Sequence, residues 1–363
     1  MSLSRELLSL YRRFQYVVFG RQRYGVLGSG RHVNVAPFRY EINHGDVVHP
    51  CVRFISEGYL GHKWWMVYTP YYRSDSSLEQ PVLCFADSDN AENPPTEWKT
   101  YCLVNDKLED GYNSDPTLFY YGGKLYVYWR ENYERRIHPY FRGTFAAIVT
   151  ANGVERLGDY PVVQADDPEI DPETCPTFMS ALARKDVFVC YGMHLKFHSK
   201  WLQRQNPGIK RFLSKLLNIV DLFGLYSVQK HYGIAIWESE VGPVNQFKLV
   251  KTVKFRNCNK LYRPWHMDFF DYEGKRYAIV QTNMSNADIC LAFSDDGEKF
   301  TFFRKPLITN ATIDKLGIYK PCAGVTTEGL FYLYYTAQDK DNRSMNRLYL
   351  TEMSFNKLLA EIQ

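Results

Sequence analysis

The chain has 363 residues, enough for two domains by length alone, with 44 basic and 40 acidic residues and a net charge of +4. That balance excludes the basic surplus of a nucleic-acid binder, and no apolar stretch is long enough to span a membrane. Aromatic residues make up 16% of the chain, a share that favours packed β-sheet and an aromatic-lined pocket.

Residues 1–32 read as a basic, amphipathic N-terminal segment with a helix carried by Leu7, Leu8, Leu10, Tyr11 and Phe14. Arg12-Arg13 interrupts the apolar residues and no small-residue cleavage site follows, so the segment does not read as a secretory signal. Eight cysteines occur without a CxxC, and Cys84, Cys102, Cys190 and Cys290 fall in apolar strands. Reduced thiols and a cytoplasmic location, peripheral to the inner membrane in one variant of the reading, are the expectation.

From residue 33 to residue 355 a unit repeats five times. Each copy opens on a short apolar strand at a Pro or Trp junction: His49-Pro50, Asp115-Pro116, Cys175-Pro176, Trp265-His266 and Lys320-Pro321. A second, aromatic strand follows about ten residues later, at 63–68, 124–129, 186–191, 275–280 and 330–335. Third strands are expected at 81–86, 143–149, 232–237, 288–293 and 347–351. Hairpin signals stand at Gly122-Gly123, Glu273-Gly274, Asp296-Gly297 and Glu328-Gly329. A proline at a strand's first residue costs no ladder hydrogen bond. The openings are 66, 60, 89 and 56 residues apart. The long interval contains residues 196–230, where Phe212, Leu213, Leu216, Leu217, Val220 and Phe223 recur at helical spacing. Without that insertion the period suits a small antiparallel sheet that cannot bury its faces alone. The expected fold is therefore all-β, a five-bladed β-propeller with a short helical insertion and an N-terminal helix; an unrelated β-sandwich is the rival.

The last unit ends after three strands, so residues 33–42 are expected to supply its outer strand and close the ring, with 356–363 as a tail. The insertion could form a lid, pack on the propeller flank or mediate dimerisation. Its 209–225 face is also offered as a peripheral membrane or protein contact.

A propeller brings the first strand of every blade to one axis. His49, Asp115, His266, Asp268 and Lys320 would meet there, with Glu79, Arg130 and Glu131 near the ends of second strands and Glu173, Arg263 and Tyr319 before strand openings. With Trp65, Trp129 and Trp265 these residues suggest a sugar site, aromatic faces packing on the ring and charged groups binding hydroxyls. Asp115, Glu79, Glu173 and His266 are the catalytic candidates. His49, Trp65, Arg130, Glu131, Arg263, Trp265, Asp268, Tyr319 and Lys320 are the substrate-binding candidates. Each has a plainer rival: Asp115 as a turn cap or brace, Glu131 as an ion-pair partner, Glu173 as part of a solvated acidic loop. Cys51, Cys175 and Cys322 near one axis could bind a soft metal, but no ligand spacing supports it. No metal or cofactor is expected, and the expected partner is carbohydrate.

His49-Pro50, Trp65 to Tyr71, Glu79-Gln80-Pro81, Tyr112 to Pro116, Pro264 to Asp268 and Ile318 to Lys320 carry a more specific likeness. Over about residues 45–355 the chain resembles the five-bladed propeller glycoside hydrolases of the family 43 and family 32 type, and glycosidase-like propellers of bacterial polysaccharide gene clusters. The resemblance implies paired carboxylates at the axis, an acid before the strand-opening proline of the first blade, a second acid so placed in another blade, and a glutamic acid as proton donor. Asp115 matches one such position. The first blade departs from the pattern with His49, and the third with Cys175. The resemblance thus leaves two readings: an enzyme that hydrolyses or transfers glycans, and a silent glycan-binding or assembly module.

Overall fold

The computed structural model describes residues 25–36, 46–72, 75–87, 93–133, 142–164, 180–184, 187–195, 208–209, 232–258, 264–282, 288–309, 313, 316–338 and 345–363. The expected N-terminal helix, almost all of the insertion, and Cys175, Glu173 and Arg263 lie outside them.

Strand β1 (Arg31–Val35) precedes five units, antiparallel except that β15 of the fourth runs parallel to β19. The first holds β2 (Val48–Tyr59), β3 (His62–Thr69), β4 (Val82–Ala86) and β5 (Glu97–Leu103). The second holds β6 (Gly111–Tyr121), β7 (Lys124–Tyr133), β8 (Arg142–Thr150), β9 (Gly153–Arg156) and β10 (Val163–Gln164). The third holds β11 (Ser180–Arg184), β12 (Val187–Leu195), β13 (Tyr232–Ser239) and β14 (Lys248–Thr252). The fourth holds β15 (Lys254–Arg256), β16 (Met267–Tyr272), β17 (Lys275–Gln281), β18 (Ile289–Ser294) and β19 (Lys299–Phe302). The fifth holds β20 (Leu316–Val325), β21 (Leu330–Gln338) and β22 (Asn346–Ser354).

The first strands form a closed circuit: β2 neighbours β6, β6 neighbours β11, β11 neighbours β16, β16 neighbours β20, and β20 returns to β2. The described hydrophobic core is likewise divided into clusters, one between each adjacent pair of blades. Trp65, Val67, Leu118 and Val127 pack between the first and second blades. Tyr128, Cys190 and Trp237 pack between the second and third, and Tyr191, Phe269 and Phe300 between the third and fourth. Ile279, Leu291 and Leu333 join the fourth to the fifth, and Trp64, Met66, Tyr332 and Tyr334 join the fifth to the first. Successive residues of a strand point to opposite faces, so the neighbours Trp64 and Trp65 serve different interfaces. Each fully buried Val, Leu, Ile or Phe contributes roughly 1.5–3 kcal/mol.

The closing strand lies at residues 31–35, two residues earlier than the sequence suggested; residues 37–45 are outside the described set. It pairs antiparallel with β22 through Arg31, His32 and Val33 and parallel with β5 through Asn34 and Val35. This one short strand thus joins the last blade to the first. Beside it the Tyr334 hydroxyl donates to the Pro95 carbonyl at 2.7 Å. Tyr334→Phe is expected to cost about 1–2 kcal/mol in urea unfolding, because a buried carbonyl loses its donor. The expected tail is instead a helix, α1 (Phe355–Ile362), with Phe355, Leu358 and Ile362 buried against the fourth and fifth blades. In the third blade the described inner strand begins at Ser180, after the expected 175–179.

Candidate functional site

Three blade openings share an uncommon backbone. His49, Asp115 and Lys320 have φ near +53°, +50° and +26°, and each directly precedes a proline. A side-chain-bearing residue avoids positive φ, and a following proline restricts it further. In all three strands the pairing register shifts across the same Xaa-Pro step: between Val48 and Cys51, between Ser114 and Thr117, and between Tyr319 and Cys322. Each opening is thus a bulge, which re-aims a side chain at a cost of about 1–3 kcal/mol. All three side chains are buried.

They meet. His49 Nε2 lies 3.3 Å from Asp115 Oδ1 and 3.4 Å from the Tyr319 hydroxyl. The His49 ring centroid is 5.5 Å from that of His266, which in turn meets Tyr319 edge-on at 4.4 Å. Trp265, half-buried, makes an edge contact with His266 at 6.2 Å. Lys320 Nζ lies 3.5 Å from the Pro116 carbonyl. The expected convergence of Asp115, His266 and Lys320 at one hub is therefore what the structure shows.

Several hydrogen bonds hold the cluster in place. His49 Nδ1 is 2.8 Å from Thr69 Oγ1 at the end of β3. Asp115 Oδ2 is 2.6 Å from Arg130 Nη2 and accepts from the Ser114 hydroxyl at 3.1 Å. That hydroxyl accepts in turn from Arg130 and Asn132. Asp115 Oδ1 is buried and has no hydrogen-bond donor among the described residues. The β3–β4 connection supplies Glu79: a 3₁₀ turn at Ser76–Leu78, capped by Asp75, ends on it. Its carbonyl accepts the Asn113 N–H at 3.1 Å, tying the turn to β6.

Burial sets the protonation states. It pushes Glu79 up to about 8, with the Asp115 charge adding to the rise and Arg130 opposing it. It pulls His49 down to about 3 against the opposing pull of Asp115, and holds His266 well below its usual value. Lys320 is lowered by burial, with Asp115 opposing. At neutral pH the cluster therefore presents a protonated Glu79 and two neutral imidazoles.

Other expected site residues are taken up by the scaffold. Trp65 is fully buried in the core between the first two blades and donates to the Tyr59 carbonyl. Trp129 shares that core. Their aromatic character suggested sugar platforms, but a blade buried on both faces uses such side chains as filling. Glu131 is likewise a brace: its carboxylate takes Arg156, Asn105, Trp129 and Tyr133. Asp268 holds Arg53 through both oxygens, at 2.7 and 2.9 Å, and accepts the Ala323 N–H. Arg53, Ser114 and Thr69 were not expected. The first had a signal, a cation alternating into the buried face of Cys51-Val52-Arg53-Phe54. Cys51 and Cys322 are buried free thiols, and no metal-binding group occurs among the described residues.

The fold has well-matched solved counterparts. A crystal structure of an N-acetylgalactosamine deacetylase from F. plautii, in complex with blood group B trisaccharide, superposes with a TM-score of 0.64 at 15% identity, covering 94% of this chain and 98% of that one. A GH43_1 enzyme from Xanthomonas citri matches with a TM-score of 0.56 at 12% identity, over 86% and 88%. A family 117 glycoside hydrolase from the marine bacterium Zobellia galactanivorans matches with 0.54 at 11% identity, over 92% and 93%. No family model and no curated protein sequence matches the chain. The fold is that of the glycosidase-like five-bladed propellers.

Proposed function

We propose that this is a carbohydrate-active protein whose axial cluster cleaves or transfers a sugar of a polysaccharide or its precursor. The observation that carries the reading is the pairing of unlike carboxyl groups. Asp115 is fixed by Arg130 and Ser114 through one oxygen and offers the other, while Glu79 nearby keeps its proton at neutral pH. Glycoside cleavage needs such a pair, one group to give a proton to the leaving oxygen and one to stabilise or attack the positive anomeric centre. Tyr319 and the half-buried Trp265 would provide aromatic surface for the ring. Fold neighbours that carry glycans support the substrate class. These include the deacetylase with its trisaccharide and the Xanthomonas citri enzyme complexed with xylotriose.

One observation favours a second reading, a glycan-binding module without turnover. A neutral His49 stands at the first-blade junction, where the likeness to the propeller hydrolases implies an acid, and Asp115 already serves Arg130. Chromogenic glycosides and a glycan array, applied to the full chain, separate the two. Turnover of any glycoside establishes the enzyme, array binding without turnover establishes the module, and neither would remove the proposal.

A further inference from the structure

Two half-buried tyrosines stand beside the buried Glu79, one from each of two chain segments. Tyr71 follows by two positions Thr69, the β3 residue whose hydroxyl meets His49. Its N–H donates to Asp46 Oδ1 at 2.9 Å, and the same buried carboxylate accepts the Asn346 N–H at 2.7 Å. The backbone of Tyr71 is thus anchored to a fixed part of the fold. The Ser76 side chain is a hydrogen-bonding neighbour of both the Tyr71 hydroxyl and the Glu79 carboxyl. Glu79 and Tyr112 both lie within electrostatic reach of the Tyr71 hydroxyl.

Tyr112 arrives from β6. It lies two residues before Ser114, on the same face of the strand, and the Ser114 hydroxyl belongs to the axial cluster through Arg130. The next residue, Asn113, donates its N–H to the Glu79 carbonyl at 3.1 Å. Exposure is graded across this group: His49, Asp115, His266 and Glu79 are buried, while Tyr71 and Tyr112 keep part of their surface open. A tyrosine offers a rigid apolar face and a polar tip, the combination that a sugar ring with its hydroxyls can use.

The chemistry decides which sugar would lie there. The Glu79 proton passes to the glycosidic oxygen as the bond from that oxygen to the anomeric carbon breaks, and a water or an acceptor hydroxyl then completes the anomeric centre. The unit that departs as an alcohol therefore lies on the acid's side of the cleaved bond. We propose that Tyr71 and Tyr112 form the subsite for the leaving-group sugar, so that the protein acts on a glycan of two or more units rather than on a monosaccharide derivative. The inference rests on the cleaving or transferring reading above and adds the place and the nature of the departing group. Tyr71 and Tyr112 come from the first and second blades, as do Glu79 and Asp115.

Kinetics of the full chain on matched pairs test this: the glycosyl fluorides of xylose, arabinose, galactose and glucose, in both anomers, against disaccharides of the same sugars and configurations. Fluoride fills no sugar subsite, so each pair separates the reacting unit from the departing one. The ratio of kcat/KM for disaccharide to that for fluoride should fall at least ~tenfold in Tyr71→Ala and in Tyr112→Ala, the scale of one lost aromatic contact. Tyr71→Phe, which keeps the ring, should retain most of the ratio. The two alanine variants lie on separate segments, so one still reports should the other fail to fold. Losses of equal size on both members of a pair would overturn the inference and leave the carbohydrate reading intact. Wild-type turnover of fluorides without turnover of any disaccharide would do the same. Turnover of no member of the panel would overturn both the inference and the cleaving reading beneath it.

Discussion

Glu79→Gln is expected to lower turnover of an active glycoside roughly 10²–10⁴-fold, the usual contribution of a positioned general acid. The loss should be largest for leaving groups that need a proton and shrink for aryl leaving groups that depart as stable anions. Wild-type turnover should fall above about pH 8, where Glu79 loses its proton, and this alkaline limb should vanish in the variant. The same residue has a stability signature of definite sign. The folded state raises Glu79 from 4.5 to about 8, so the native protein holds a proton that the unfolded chain gives up near 4.5. The associated stability is fully present below pH 4.5 and is lost as pH rises to about 8, an effect on the order of a few kcal/mol. In Glu79→Gln that slope should disappear, and the variant should exceed wild type in urea midpoint at pH 8. Unchanged turnover in Glu79→Gln, with an unchanged leaving-group dependence, would remove Glu79 from the chemistry.

Arg53→Met is expected to cost about 3–5 kcal/mol, measured by urea unfolding at neutral pH, because it strands the Asp268 carboxylate in the core. Arg53 belongs to β2, donates to the Leu118 carbonyl of β6 and grips Asp268 of β16, which accepts from Ala323 of β20. One ion pair therefore fastens four of the five inner strands. Arg53→Met with Asp268→Leu should recover most of the loss, since removing both charges removes the desolvation cost as well. A single-variant loss below about 1 kcal/mol would show that the brace carries little.

The repeat was legible because its signals are local. Pro or Trp junctions, Gly turns and aromatic second strands are each visible within a dozen residues, and they placed the inner strands of the first, second and fifth blades on β2, β6 and β20, each of which runs four or five residues further at one end. Asp115, His266 and Lys320 could be brought together from that register alone. What failed was the sorting of residues by environment. Trp65, Trp129 and Glu131 looked like ligand contacts because aromatics and carboxylates do bind sugars. Their roles depend on which blade packs against them, a long-range fact. Asp268 was placed at the axis correctly, but its use depended on Arg53, some 215 positions away. Helix α1 has Phe355, Leu358, Leu359 and Ile362 at helical spacing, but its shortness made it read as a tail.

The seam at residues 31–35 has a consequence for synthesis. Val33 pairs with Leu348, about 315 residues later in the chain. At ~5–20 residues per second, the first half of this joint waits tens of seconds for the second to leave the ribosome. During that interval Arg31, His32 and Val33 lack their partners and the rim stays unsealed, so the circle cannot lock until β22 has been made.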